Sequence, residues 1–236
     1  MSRVIVRPLN AIGGAGVVTS FSDNFNRANS VNGFGPNWTC AGMDFQGVFS
    51  SHGPVGISVN QMVWQASAVN QNITEPFGFM PVPPLSGLAQ GVSQFSQIQF
   101  ISSNSLVGTR SMYIGPSVLN GWHDNVGYRM YCLGCFVDDT QSRLILVKWD
   151  GAMTTLLNLG VASVAVNDTV RLEARLAVGQ VNFTVLRNGT SIGTVSDAGA
   201  TQSRFGSPGV HRMQYVTAAV PGVSSVAFDN YACGSL

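Results

Sequence analysis

Few residues in this chain can do chemistry, and their spacing limits what that chemistry could be. Glu75 and Glu173 are the only glutamates, and they stand far apart. Glycoside hydrolysis needs two carboxylates flanking one bond, and neither glutamate has a partner at such a spacing. Asp138-Asp139 is an acidic pair, but it precedes a predicted turn and reads as turn chemistry. His52, His123 and His211 lie in no G-x-S-x-G context that would present a nucleophile. "CLGC", with Cys132 and Cys135, has the spacing of half a zinc site or of a redox pair. A zinc site needs a second pair of ligands, and only Cys40, Cys233 and scattered histidines are available. A redox pair needs a βαβ setting, which the sequence lacks. These thiols are therefore expected to be ordinary ones beside a strand kink at Gly134, and no enzyme activity is expected.

Binding chemistry fits better. "NGWHDN" places Trp122, His123, Asp124 and Asn125 in a predicted loop. A flat indole beside polar groups suits a sugar, with the ring stacking and the polar groups setting orientation. "ITEPFGFMPVPPLSG" carries Phe77, Phe79 and Met80 among four prolines at positions 76, 81, 83 and 84. So many prolines argue against a central strand or a helix. The segment is expected to be a stiff apolar loop that contacts a neighbouring subunit at low entropic cost.

The elements that must position these residues are strands. "DTVRLEARLAV" alternates, with Val170, Leu172, Ala174 and Leu176 on one face and Arg171, Glu173 and Arg175 on the other. "QVNFTVLRNGTSIGTVSD" follows as a hairpin turning at Asn188-Gly189, a strong type I′ signal. "SRLILVKWDGAMTTLLNL" is a second hairpin. "GYRMYCLGCFV", "GVHRMQYVTAA" and "VSSVAFDNYACG" each read as a strand. In the first half "MDFQGVFSS", "VGISVNQMVWQAS", "SQFSQIQFISS" and "TRSMYIG" do so too. No stretch matches a long helix or a fixed-period repeat. Many short strands without βαβ alternation imply an all-β antiparallel sandwich. Residues 1–20 read as an N-terminal arm or docking segment, with poor signal-peptide character, and residues 21–236 as one sandwich domain.

Composition narrows the partners. Only 10% of the 236 residues are charged and the net charge is +1, so no basic field exists to attract nucleic acid. No apolar run is long enough to span a membrane as a helix. A surface this poor in charge suits a permanent assembly, because repulsion between like charges is one thing that keeps free monomers apart.

"FSDNFNRANSVNGFGPNW" resembles the opening of concanavalin A-like lectin/glucanase (laminin-G-like) jelly-roll domains. The resembling features are Asp23, Phe25, Asn26, Arg27, Ala28, Gly33 or Gly35, and Trp38. The closing strand of that family is matched by Phe228, Asp229, Asn230, Tyr231 and Gly234. The resemblance implies a concanavalin A-like jelly roll of the kind found in bacteriophage minor tail, fibre and other virion proteins. It implies that the first and last strands pair, with Phe25 entering the core near Phe228 or Tyr231. Asp23 and Asp229 become candidates for a structural Ca²⁺ site, although Asn29 stands where the family often has Asp.

The expected function is a non-enzymatic virion component, in the tail or on the capsid surface. It would contact other virion proteins, copies of itself and host-surface glycans. The alternatives are a secreted, extracellular carbohydrate-binding module and a divergent glycan hydrolase.

Overall fold

The computed structural model describes residues 20–28, 38–42, 55–58, 61–65, 77–81, 93–104, 110–123, 127–137, 142–150, 153–160, 163–198, 207–216 and 225–236. Of the expected arm, residues 1–20, all but Ser20 lie outside them, as does the expected strand at 43–51, and Ser20 opens the first strand. In chain order the strands are β1 (Ser20–Asp23), β2 (Trp38–Gly42), β3 (Val55–Ser58), β4 (Gln61–Gln65) and β5 (Phe77–Pro81). Next come β6 (Gln94–Asn104), β7 (Arg110–His123), β8 (Gly127–Val137), β9 (Ser142–Asp150) and β10 (Met153–Asn158). The last are β11 (Thr169–Ala177), β12 (Gln180–Arg187), β13 (Thr190–Asp197), β14 (Ser207–Val216) and β15 (Ser225–Ser235).

They form two antiparallel sheets. The 8-stranded sheet runs β13-β12-β11-β6-β15-β4-β3, with β1 also paired to β15. The 7-stranded sheet runs β10-β9-β8-β7-β14-β5-β2. The core lies between them. Ile98, Phe100, Val170, Leu172, Val181, Phe183 and Phe228 come from the first sheet, and Val118, Leu144, Leu146 and Val210 from the second. Polar groups also cross this gap. The Ser96 hydroxyl donates to the Gly209 carbonyl at 2.7 Å, and the Leu119 N–H donates to Gln94 Oε1 at 3.1 Å. At one side of the sandwich Lys148 on β9 pairs with Asp197 on β13 at 3.0 Å.

The expected hairpins are present. Asn188 and Gly189 have φ of +52° and +80°, as a type I′ turn requires. Arg187 pairs with Thr190 across it. Two irregularities decide which residues face the core. In β15 the register slips between Asp229 and Ala232, and Asn230 has φ +50°. Strict alternation from Phe228 would carry position 230 inward and leave 231 outside. The extra residue reverses the faces, so Phe228, Tyr231 and Cys233 are all buried. In β7 a register shift between Val118 and Gly121, with Leu119 at φ +57°, accompanies the burial of the consecutive Val118 and Leu119.

One expectation is corrected. Phe77–Pro81 is not a loop but β5, paired to β14 on one side and β2 on the other. Pro76 precedes the strand and Pro81 is its last residue, so no proline interrupts the ladder inside it.

Candidate functional site

The opening stretch closes the fold. β1 pairs with β15 through Ser20↔Gly234, Phe21↔Cys233, Ser22↔Ala232 and Asp23↔Tyr231. The chain then turns sharply at Phe25, which is fully buried with φ +52°. This region is unusual for a bulky residue, and Asp23 stabilises it. Asp23 Oδ1 accepts from the Phe25 N–H at 2.8 Å and from Arg27 at 2.7 Å, while Oδ2 accepts from Arg27 at 2.8 Å and from the Trp38 indole N–H at 2.7 Å. Phe25 stacks on Trp38, and Trp38 meets Tyr231 edge-on with ring centroids 4.8 Å apart. Phe25 thus reaches the last strand through Trp38.

Both expected calcium ligands come from this region, but Asp23 spends both oxygens on protein donors. Asp229 lies near enough to feel its charge. Burial first, and repulsion from Asp23 as well, raise the Asp229 carboxyl above its ordinary value despite the Asn230 N–H it accepts. Among the described residues no group of three or more His, Cys, Asp or Glu is placed to hold a metal. Burial pushes the Cys233 thiol up to about 12, which leaves it an inert core thiol.

The thiols of "CLGC" do not form a pair on one face. β8 runs through Gly134 in continuous register with β9. Cys132 and Cys135 hold register positions opposite Val147 and Leu144, three apart on one strand, and such positions alternate between faces.

The expected sugar-binding loop is also revised. Trp122 and His123 are the last residues of β7, paired with Tyr128 and Gly127. Asp124 and Asn125 lie outside the described residues. Phe79 stands at the register position opposite core residue Val210, Phe77 opposite Arg212, and Met80 opposite Thr39.

The register of the 7-stranded sheet brings a different set of residues together. Leu144, Leu146 and Lys148 of β9 face the other sheet, so Arg143, Ile145, Val147 and Trp149 fall on the outer face. From them the face can be followed strand by strand. One row runs Met213–Tyr113–Phe136–Arg143 across β14, β7, β8 and β9. The next positions are Gly78–His211–Gly115 on β5, β14 and β7, and Gly134–Ile145–Asn158 on β8, β9 and β10. Then comes Gly209–Ser117–Cys132–Val147–Thr155. The far side has Met130–Trp149–Met153 and, on β7 and β8, Trp122–Tyr128.

Small residues therefore occupy the middle-row positions at β5, β14, β7 and β8 apart from His211, and aromatic or long residues occupy both flanking rows. With ~3.4 Å per residue and ~4.8 Å between strands, the flanking rows are about 20 Å apart and the floor crosses several strands. Ser117, Ile145 and Val147, at 0%, 3% and 0% exposure, and Gly115 and Gly209 are all sheltered, whereas Thr155 and Asn158 on β10 are exposed. Sequence reading picked out Trp122 but missed Tyr113, Phe136, Arg143, Trp149 and His211 as one set. Their common face becomes visible only when the strands are put in register.

No family model and no curated protein matches the sequence. Solved structures do share its architecture. The alginate lyase Aly36B, solved with an alginate trisaccharide, superposes with TM-score 0.55 at 12% identity, over 92% of this chain and 98% of that chain. The CBM2 module of the evolved Dit of Lactobacillus casei BL23 phage J-1 gives TM-score 0.50 at 12% identity, over 92% and 96%. GH43B of the Bacteroides ovatus xyloglucan PUL gives 0.51 at 13% identity, over 96% of this chain but only 41% of that one. The fold is a concanavalin A-like jelly roll.

Proposed function

We propose that this protein is a non-enzymatic carbohydrate-binding jelly roll, and that it serves as a bacteriophage virion component whose other surfaces meet neighbouring subunits. The observation that carries the binding reading is the outer face of the 7-stranded sheet. A floor of Gly78, Gly115, Gly134, Gly209 and Ser117 lies between rows bearing Tyr113 and Phe136 on one side and Trp149 and Tyr128 on the other. Aromatic residues at register positions on both sides of one sheet face are the residue types that stack on sugar rings. The strand spacing is close to the length of one pyranose residue, so neighbouring sugars can meet neighbouring strands.

The virion setting is supported by the low charge and by the phage module that shares the fold. A carbohydrate-binding module outside a virion is the alternative setting. The binding test is affinity electrophoresis against a panel of soluble polysaccharides. Tyr113→Ala and Trp149→Ala should each abolish retardation, and unchanged binding by both variants would move the site elsewhere. The setting is tested by mass spectrometry of purified phage particles from the source, where absence of the chain refutes it.

A second reading, polysaccharide cleavage, is favoured by one feature. His211 and Tyr113 take diagonal register positions on adjacent strands of this face, and both are residue types that can transfer a proton. Release of new chain ends by the wild type, lost in His211→Ala, would establish it.

A further inference from the structure

We infer that Asn188-Gly189 is a site of spontaneous covalent modification that the folded hairpin keeps closed, with Asp168 as the residue that closes it. This does not depend on what the sandwich binds. The chemistry needs only water. The Gly189 backbone nitrogen gives its proton to solvent and attacks Cγ of Asn188, so a new C–N bond forms. The bond from Cγ to Nδ2 breaks, and Nδ2 leaves as ammonia after taking a proton from solvent. Water then opens the cyclic imide at either carbonyl, which leaves an aspartate or an isoaspartate at 188. Glycine favours the attack because it has no side chain to crowd the nitrogen and restricts the backbone least.

Burial does not prevent this reaction. Asn188, Gly189 and Thr190 are all exposed, and no atom lies within 4 Å of where a Gly189 Cβ would stand. Hydrogen bonds hold the carboxamide instead. The Thr169 N–H donates to Asn188 Oδ1 at 2.8 Å, and Asn188 Nδ2 donates to Asp168 Oδ1 at 2.7 Å. The Asn188 N–H donates to the Thr169 carbonyl at 2.9 Å, so the backbone is tied to the same place.

Asp168 is itself fixed. It is buried, and its Oδ2 accepts from Arg187 Nε and from the Ala165 N–H, both at 2.6 Å. For Cγ to meet the Gly189 nitrogen, the carboxamide must swing about its side-chain bonds. That swing breaks the bonds to Asp168 and Thr169 together, and the one to Asp168 is the stronger because its acceptor is ionised. The product would not fit the hairpin it came from. A carboxylate at 188 has no N–H to give Asp168 and would face it charge to charge.

The experiment incubates the full chain at mildly alkaline pH, folded in buffer and unfolded in urea. Peptide mass spectrometry follows the conversion of amide to acid at each Asn-Gly pair. Asn32-Gly33 and Asn120-Gly121 are the other two pairs, and in urea all three should convert at similar rates. In buffer Asn188 should convert about thirtyfold to a thousandfold more slowly than in urea, the range set by one charged and one neutral hydrogen bond. Asp168→Ala should speed conversion in the folded chain by about tenfold to a hundredfold. Asp168→Asn keeps an acceptor oxygen of the same shape and should recover part of the protection, with circular dichroism checking that each variant is folded.

Wild type that converts at 188 as fast in buffer as in urea overturns the inference, whatever the variants do. A folded Asp168→Ala that converts at the wild-type rate overturns it too, because the hairpin is then closed by something else. If Asp168→Ala does not fold, the same two outcomes are read from Arg187→Gln, which removes the bond that orients Asp168. It should convert faster than wild type, and an unchanged rate overturns the role of Asp168.

Discussion

Replacing Asp23 should be among the most damaging single changes in the molecule. Its side chain is fully buried and the Arg27 side chain is 22% exposed, so the pair is largely removed from water. Asp23→Ala leaves the guanidinium without its bidentate partner and strands the Trp38 indole N–H and the Phe25 N–H. Breaking one side of a buried ion pair costs about 3–5 kcal/mol, and each orphaned buried donor costs about 1–3 kcal/mol. These costs overlap, and water can reach part of Arg27, so a loss of roughly 4 kcal/mol is expected. Asp23→Asn keeps one acceptor oxygen for Phe25 or Trp38 and should cost about 2 kcal/mol. Urea unfolding followed by tryptophan fluorescence would measure both, and a domain of this size should lose about 10 °C in Tm for the alanine variant. The mechanism also predicts coupling. In a double-mutant cycle with Arg27→Met, Asp23 and Arg27 should interact by more than about 1 kcal/mol. If Asp23→Ala costs less than about 1 kcal/mol, or if the cycle shows additivity, the clasp does not hold the fold closed.

Phe25→Gly should be no more destabilising than Phe25→Ala in the same unfolding assay. This would reverse the usual order, because φ +52° penalises any Cβ and spares glycine. Asp229→Asn should raise stability at neutral pH but not below about pH 3.9. A carboxyl whose folded pKa is raised loses stability as pH climbs from its unfolded value through the folded one, and guanidinium melts at two pH values would show it. Asp168 works in the opposite direction. Burial alone would raise it, but hydrogen bonds from Asn188 and Ala165 and the charge of Arg187 outweigh burial and hold it below the ordinary value. Its contribution is present above the unfolded pKa and lost as pH falls through the folded one, so acid unfolding should be shallower in Asp168→Asn. Gly193→Ala should cost less than about 1 kcal/mol by thermal melting, since a Cβ there would meet only the ends of two partly buried side chains that can turn aside, Leu159 Cδ2 at 2.6 Å and Leu157 Cδ2 at 2.8 Å.

The second half of the fold was legible because its signals are local. The alternation of β11 and the Asn188-Gly189 turn need only neighbouring residues, and both are found as read. The pairing of the first and last strands was legible through the family resemblance. What was not legible depends on partners distant in sequence. Pro76 and Pro81 suggested a loop, but β5 fits between them and finds β2 and β14 as neighbours. Asp23 looked like a possible metal ligand because the sequence gives no sign that Arg27, Phe25 and Trp38 all converge on it. The Asn230 bulge is invisible to a period-two reading, yet it decides whether Tyr231 faces in or out.

The same dependence governs the candidate site. "LILV" in β9 reads as one continuous apolar run, the usual mark of a strand buried on both faces. Leu144 and Leu146 join the core between the sheets, while Ile145 and Val147 are equally dry on the outer side. A bare, flat sheet face would leave those two side chains open to water, so the chain must shelter its own outer face at β9. Toward β8, β7, β14 and β5 the same rows carry Gly134 and Cys132, then Gly115 and Ser117, then His211 and Gly209, then Gly78. Gly115, Ser117 and Gly209 are as dry as Ile145 and Val147, so the shelter extends from β9 across β7 to β14. The described positions of these two rows that are open to water lie at the β10 edge, Thr155 and Asn158, so a chain-like ligand would approach from the β10 side.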